Sequence, residues 1–501
     1  MPHQKLRFLH AAEASLARYP SALPHPGLLV GWSMETQHRR QPPGFSFGDP
    51  QTTPDQGYID PILMEDEGHL ITIAPTGAGK GVGCIVPALL RHEGPVFVVD
   101  PKGENTAITA RGRRERGETV AVIDPMGLTS EVPASLNPLD LIDPKSANGV
   151  DEALALINAL LPDNTADHKN SFWVGRARQL LLAVVLHVVT DLEPQERTLM
   201  KVREIVHEMT NNPGPISKRL AKSRHPEVRL IEGTLGINAK ETLGGILAFA
   251  QEGIDFVRGP QLQQSLGSTS FDLDEIVRGG PVSIYLVLPP HMLGSHGRVL
   301  RLWISALFQL IQRRRSRPKK STLFILDEAA QLGTLSELRT AITLLRGYGL
   351  QTWSFWQDVS QLKILYPLDW QTMVNNSRVL QAFGANNMSA ARDMSNLMGF
   401  VSAEQVLDLR QGEMLLQIAG DEAVAARLPN YRSDPVFEGQ FDQNPFFNSS
   451  IDPLPEKDLS REYLRSEKVV VTKERHGKLR RKANPVDGDL AKRILDSLES
   501  G

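Results

Sequence analysis

The sequence predicts an α/β protein: a doubly wound, mostly parallel sheet with an all-α insert. Three observations carry this. Short apolar runs alternate with helical segments from His69 to about residue 149. The alternation then stops: residues 150–250 show only helical periodicity, and strands return near residue 282. The first apolar run leads directly into a glycine-rich loop and a lysine.

Taken in order, the first strand covers 70–74. It runs into Ala74-Pro75-Thr76-Gly77-Ala78-Gly79-Lys80-Gly81-Val82. Glycines let successive backbone N–H groups face one concavity, and the following helix adds its positive end. The residues expected to cradle phosphate are Thr76, Gly77, Ala78, Gly79, Lys80, Gly81 and Val82, with Lys80 reaching the β- and γ-phosphates. The pattern G-x-x-x-x-G-K-[ST] is met at Gly79 and Lys80. Ala74 replaces its first glycine, and Gly81 replaces the Mg²⁺-binding hydroxyl. The competing reading is a plain glycine-rich turn. Strands follow at 96–100 and 120–124. Helices are expected over Val150–Leu161, Phe172–Val189 and Thr198–Met209, and Asn211-Asn212-Pro213-Gly214-Pro215 breaks the run.

In the second half, strands fall at 282–288, 322–327, 351–357 and 379–383. Segments 414–418 and 422–427 form an expected antiparallel edge. The strand Leu323-Phe324-Ile325-Leu326 ends in Asp327-Glu328. Four consecutive apolar residues suit a strand buried on both faces, and acids at its carboxyl end sit where α/β sheets bind ligands. Asp327 is the expected Mg²⁺ ligand, and Glu328 the residue that polarises an attacking water. The plain alternative is a strand that ends in acids before a helix. The glycine-rich loop and this acidic strand together predict a nucleoside-triphosphate site.

Composition sets the outer limits. The 501 residues are 41% hydrophobic and 23% charged, with net charge −3, so any nucleic acid has to meet a local basic patch. The single cysteine, Cys84, excludes an internal disulfide and fits a reducing compartment. The longest apolar run, Leu180 to Val189, is about half of what a spanning helix needs, and the first residues carry no signal-peptide pattern. Texture divides the chain into an N-terminal arm (1–60), a first nucleotide-binding part (61–149), the all-α insert (150–271), a second nucleotide-binding part (272–430) and a polar tail (431–501).

The ordered motifs resemble the TraG group, the coupling proteins of bacterial conjugation and type IV secretion. The carriers are the loop with Ile85-Val86-Pro87, Asp100-Pro101-Lys102-Gly103-Glu104, Leu326-Asp327-Glu328-Ala329, Leu345-Arg346-Gly347-Tyr348-Gly349-Leu350, Gln357-Asp358-Val359-Ser360-Gln361-Leu362 and Asn375-Asn376-Ser377. The resemblance spans about residues 60–430. It implies a RecA-like P-loop NTPase that uses ATP and Mg²⁺, assembles as a homo-hexamer from a monomer, and delivers single-stranded DNA with its relaxase, or effector proteins, to a secretion channel. Coupling proteins usually begin with two membrane helices. This sequence shows none, so the expected location is cytoplasmic, at the inner membrane only through secretion partners.

Within that frame Gln357 senses the γ-phosphate or the water, and Arg346 is the candidate arginine donated by a neighbouring subunit. Each has a plain alternative, a strand-end polar residue and an exposed helix-end arginine. Asp100 and Lys102 either line the site beside the phosphate loop or form a turn. Gly81 leaves Mg²⁺ to phosphate oxygens, waters and Asp327. The basic runs Arg111–Arg114, Arg313–Lys320 and Lys478–Lys482 are candidate nucleic-acid contacts or solvated surface. Phe172-Trp173 either stacks on bases or packs in the helical core. His168, His187 and His207 lack metal-ligand spacing. Two alternatives stay open: a HerA/FtsK-like DNA translocase, and a nucleotide-binding adaptor that does not hydrolyse.

Overall fold

The computed structural model describes residues 19–23, 26–33, 61–65, 67–161, 170–234, 240–399, 401–420 and 423–447. His168, the basic run Lys478–Lys482 and most of the segments 1–60 and 431–501 lie outside them. All elements below belong to the compact unit Met1–Asn444.

Eleven strands form one sheet among the described residues. They are β1 (Leu28–Ser33), β2 (Pro61–Met64), β3 (His69–Ile73), β4 (Val96–Val99), β5 (Thr119–Ile123), β6 (Val282–Leu286), β7 (Thr322–Leu326), β8 (Leu350–Trp356), β9 (Ser377–Phe383), β10 (Glu413–Ile418) and β11 (Val424–Arg427). Their spatial order is β2-β1-β11-β10-β9-β3-β8-β7-β4-β6-β5. From β9 to β5 every pairing is parallel; from β9 outward to β2 every pairing is antiparallel. One feature of this order positions the site. β8 lies between β3 and β7, so the phosphate-loop strand and the acidic strand flank the strand that leads into Gln357.

Helices cover both faces, as a parallel sheet requires. Helix α1 (Val86–Arg91) follows the loop, and α2 (Glu104–Glu115) joins β4 to β5. Among the described residues between β5 and β6, the regular elements are helices: α3 (Gly149–Leu160), α4 (Ser171–Asp191), α5 (Leu199–Asn211), α6 (Pro213–Leu220), α7 (Pro226–Thr234), α8 (Lys240–Ile254), α9 (Pro260–Ser265) and α10 (Leu273–Arg278). Helix α11 (Pro290–Gln312) returns the chain to β7, and α12 (Ser336–Leu344) leads to β8. Successive strand residues point to opposite faces. Phe97, Val99, Phe324 and Leu326 share a core with the helical segment and α11, whereas Val96, Val98, Leu323 and Ile325 pack with Cys84, Ile85, Ala88 and Leu89 at α1. Phe324 meets Phe97 edge-on at 5.5 Å and Phe308 of α11 at 5.0 Å.

Among the described residues, α4 alone is long and apolar enough to cross a membrane by length and composition. Its residues 180–189 are all buried, and it packs against α3, α5, α7 and α8. It is the core of the helical segment.

Two expectations need correction. The segment expected to be an N-terminal arm contains β1, six residues that are all buried and built into the sheet. The β10/β11 pair is not an edge, because β1 pairs with β11 and β2 pairs with β1. A lone strand of Leu-Leu-Val-Gly-Trp-Ser, whose partner lies far away in sequence, carries no hairpin signal to announce it.

Buried polar groups fasten the layers. Arg113 is fully buried and donates to Glu118 at 2.8 Å, Ser283 at 2.6 Å and the carbonyls of Leu89, His92 and Gly94 at 2.6–3.0 Å. It ties the end of α1 to α2 and β6. At the start of β3, the Thr352 backbone N–H donates to His69 Nδ1 at 3.1 Å, which puts the ring proton on Nε2. Nε2 is buried without a partner. Burial, helped by the charge of Arg346, lowers His69 to about 4. The folded state therefore holds His69 neutral below the pH where the unfolded chain protonates it. Stability from this site is full above pH 6.5 and falls as pH drops toward 4, by about 3 kcal/mol at most. Asn offers a similar acceptor without the titration. The His69→Asn chain is expected to lose less thermal stability than the wild type between pH 7 and pH 5, measured by calorimetry; parallel losses would contradict this reading.

Candidate active site

The loop after β3 is locked to its neighbour at once, because the Ala74 N–H donates to the Trp356 carbonyl at the end of β8 (2.8 Å). Gly77 and Gly79 take φ of 78° and 94°, a region that side chains disfavour. Apart from neighbouring backbone, no atom lies within 4 Å of where a Cβ would stand on Gly77, Gly79 or Gly81, so no other part of the chain crowds the loop there. Gly81–Ile85 forms one π-turn before α1, with the Val86 N–H on the Gly81 carbonyl. Pro87 has no N–H, and its ring crowds the carbonyl four residues back. A widened turn just before it relieves that conflict.

Beneath the loop, Thr72 Oγ1 donates to Gln381 Oε1 at 2.6 Å, and Trp353 Nε1 donates to Thr72 Oγ1 at 2.8 Å. Gln381 also accepts from Cys84 Sγ at 3.4 Å and donates to the Val30 carbonyl at 2.8 Å. This residue joins β9, β3, β1 and the first turn after the loop. Sequence reading missed it, although a glutamine inside Val379-Leu380-Gln381-Ala382-Phe383 was its signal.

The acids meet the lysine here. Asp327 and Glu328 follow β7, and Glu328 holds φ 56° and ψ 49°. That left-handed conformation costs a residue with a Cβ about 1–2 kcal/mol. It persists because the carboxylate is held on both oxygens. Oε1 pairs with Lys80 Nζ, and Oε2 accepts from Gln357 Nε2 at 2.9 Å. Lys80 Nζ also lies 3.1 Å from Asp327 Oδ1. The three adjacent strands β3, β8 and β7 thus deliver a cation, an amide and two carboxylates to one point. Burial works to lower the Lys80 pKa, but Asp327 and Glu328 outweigh it and raise it. Burial also raises Asp327, against the attraction of Lys80. One cation facing two carboxylates leaves the cluster with an excess negative charge beside an amide-lined cradle.

That donor set fits a magnesium–triphosphate complex. The open glycine amides and Lys80 suit phosphate oxygens, and Asp327 offers a hard carboxylate oxygen. Gly81 offers no side-chain ligand.

The structure brings Lys80, Asp327, Glu328 and Gln357 together with the cradle Thr76–Val82. Arg346 stands apart. It precedes β8, and its charge acts on His69, at the opposite end of β3 from Lys80. The length of β3 alone, at the usual rise per residue, puts the two about 15 Å or more apart. Asp100 does not adjoin the phosphate loop, because β8 and β7 intervene. Its carboxylate accepts from the Thr106 N–H (2.8 Å), Thr106 Oγ1 (2.7 Å) and Asn105 Nδ2 (3.3 Å), the turn alternative. Burial raises it to about 6, with Asp327 adding to the shift. Lys102 is largely exposed, 3.8 Å from Glu104.

Much of the basic sequence is structural. Arg113 is buried, Arg111 pairs with Glu115 and Asp442, and Arg114 pairs with Glu131. Arg314 is buried on the carbonyls of Ile276, Tyr348 and Gly349, and Arg313 pairs with Glu152. Trp173 packs on Gly245, where a Cβ would stand 2.7 Å from its ring, and Phe172 is exposed. His187 and His207 are tied to Asp191 (2.7 Å) and Asp255 (2.6 Å).

Comparison with known proteins agrees with this geometry. Residues 30–428 match the family model described as type IV secretory system conjugative DNA transfer. The chain belongs to this family. It is 24% identical to the conjugal transfer protein TraG of Escherichia coli, over 74% of this chain and 68% of that relative. It is 27% identical to the protein VirD4 of Agrobacterium fabrum, over 60% of this chain and 45% of that one. Family membership is matched by the fold. The plasmid coupling protein TrwB, solved with a non-hydrolysable ATP analogue, superposes with a TM-score of 0.56 at 17% identity, over 72% of this chain and 85% of that chain. VirB4 of Thermoanaerobacter pseudethanolicus gives 0.51 at 15% identity, over 81% and 98%. The sheet is therefore the RecA-like P-loop NTPase fold.

Removing Lys80 leaves two partly buried carboxylates without their cation. Lys80→Ala is expected to destabilise the protein at pH 8 by about 1–3 kcal/mol. The deficit is expected to be smaller at pH 5 than at pH 8, because burial and the loss of Lys80 both favour the protonated Asp327 carboxyl. Thermal unfolding at the two pH values checks this, and equal deficits would contradict it.

Proposed function

We propose that this protein is the ATP-hydrolysing coupling protein of a type IV secretion or conjugation system, handing DNA with its relaxase, or protein substrates, to the channel. The observation that supports it most is the Lys80–Asp327–Glu328–Gln357 cluster at the mouth of the glycine cradle. Family membership supplies the coupling role, and the relatives' names speak of conjugal transfer and type IV secretion coupling. The reading places the protein in the cytoplasm, at the inner membrane through its secretion partners. It works as a homo-hexamer, and the helical segment 150–271 is the domain that contacts the substrate-processing machinery.

The chain's own groups divide the work. Lys80 and the loop amides would bind the triphosphate, and Asp327 would hold Mg²⁺. When bound, Mg²⁺·ATP supplies the transferable phosphoryl group and neutralises its charge. Lys80 would exchange its carboxylates for phosphate oxygens. Glu328 is then free to orient and polarise a water, with its backbone already set in the required bend. Gln357 donates to Glu328 and so couples the carboxylate to the end of β8. Arg346 is too far from its own Lys80 to act there. It serves the site of a neighbouring subunit, where a donated arginine stabilises charge on the transferring group.

Glu328→Gln is expected to bind Mg²⁺·ATP within about threefold of wild type and to lose turnover by about 100-fold or more. Arg346→Ala is expected to bind ATP and turn over slowly, and mixing it with Lys80→Ala chains restores part of the activity. Unchanged turnover in Glu328→Gln would sink the hydrolytic reading and favour the adaptor. DNA-stimulated hydrolysis without any effect on conjugal or effector transfer would favour the HerA/FtsK-like translocase.

A further inference from the structure

The segment after β11 folds back onto the first turn after the phosphate loop. The Tyr431 N–H donates to the Val82 carbonyl at 3.4 Å. A Cβ on Gly83 would stand 3.0 Å from the Pro429 carbonyl oxygen and 3.1 Å from the Leu428 side chain, so glycine is what lets the two backbones approach. Tyr431 is buried and shares a core with Val82, Val86, Leu90, Val436 and Phe437.

This contact is built. Asp434 receives Trp32 Nε1 at 2.8 Å and the Asn430 N–H at 2.8 Å, and its own N–H returns to the Asn430 carbonyl at 2.8 Å. The Arg432 N–H donates to Asn430 Oδ1 at 3.0 Å. The Arg432 guanidinium lies 5.5 Å from the Tyr431 ring centroid, with Nε donating to Tyr431 Oη at 3.2 Å. Arg432 is partly exposed while its neighbour Tyr431 is buried. A planar cation is thus held at the surface, one residue from the backbone that touches Val82.

The cradle has a direction. Lys80 and Glu328 mark the β,γ-phosphate end, and the loop amides take the α- and β-phosphates. The nucleoside therefore leaves the phosphate row past the first turn of the helix, over Gly81 and Val82. We propose that the loop Pro429–Ser433 forms the nucleoside-facing wall of the phosphate site, with Arg432 the side chain that packs on the base and Asn430 the residue that positions it. A planar guanidinium stacks on any purine face. This inference rests on the nucleotide reading of the cradle.

The test compares two probes on the full chain: Mg²⁺·ATP and Mg²⁺·tripolyphosphate, which carries the phosphates without a nucleoside. Affinities are measured by calorimetric titration. Arg432→Ala is expected to weaken ATP by about three- to tenfold, the range for one stacked cation. Tripolyphosphate affinity stays as in wild type. Arg432→Lys keeps the charge, loses the plane, and is expected to weaken ATP similarly. Unchanged ATP affinity in Arg432→Ala, or equal weakening of both probes, overturns the proposal and leaves the phosphate site standing. If the wild type binds neither probe, the site reading and this inference both fall.

Discussion

Lys80 has one positive charge, and two carboxylates compete for it. That contact decides how the rest of the sheet has to be built. Lys80 comes from the turn after β3, and Asp327 and Glu328 come from the end of β7. The strands are not neighbours, since β8 lies between them and brings Gln357 to the same point. Three parallel strands must therefore end in register, and any slip would separate the groups. The hydrogen bond from Ala74 to the end of β8 fixes that register where the loop begins. The left-handed backbone at Glu328 is the strained element, and the two-sided hold on its carboxylate maintains it.

Most of the parallel sheet was legible in the sequence because its strands are continuous apolar runs bounded by turns. A run such as Leu323–Leu326, buried on both faces, needs no partner information to be recognised. β1 and β2 do need it. Their place depends on β11, hundreds of positions later, and local pattern says nothing about such pairing. The cluster was legible for a similar reason: Asp327, Glu328 and Gln357 directly follow strand ends, and Lys80 closes the loop after one, where chemistry follows from fold. Arg346 was visible as a charge before a glycine turn. Which end of the sheet it occupies depends on strand direction, so its separation from Lys80 emerged only with the topology.

Charge runs were the least informative signal. Arg113 and Arg314 look like members of basic stretches, yet both are buried and satisfy backbone carbonyls. An arginine carries five N–H donors on a long apolar stem, which lets it enter a core if enough acceptors surround it. Sequence cannot count acceptors that come from distant segments. The same holds for Gln381, whose partners Thr72, Cys84 and Val30 lie on three separate elements. These polar fastenings hold the phosphate loop, α1 and the sheet as one body.

The central claim is that Lys80 exchanges its carboxylates for phosphate when nucleotide binds. A structure with Mg²⁺ and a non-hydrolysable ATP analogue tests it most directly. The account predicts Lys80 Nζ on β- and γ-phosphate oxygens, Asp327 on the metal side, and the Glu328 carboxylate turned toward the γ-phosphate with Gln357 still attached. Lys80 still paired with Asp327 and Glu328 beside a bound nucleotide, or a nucleotide seated away from Thr76–Val82, would contradict it.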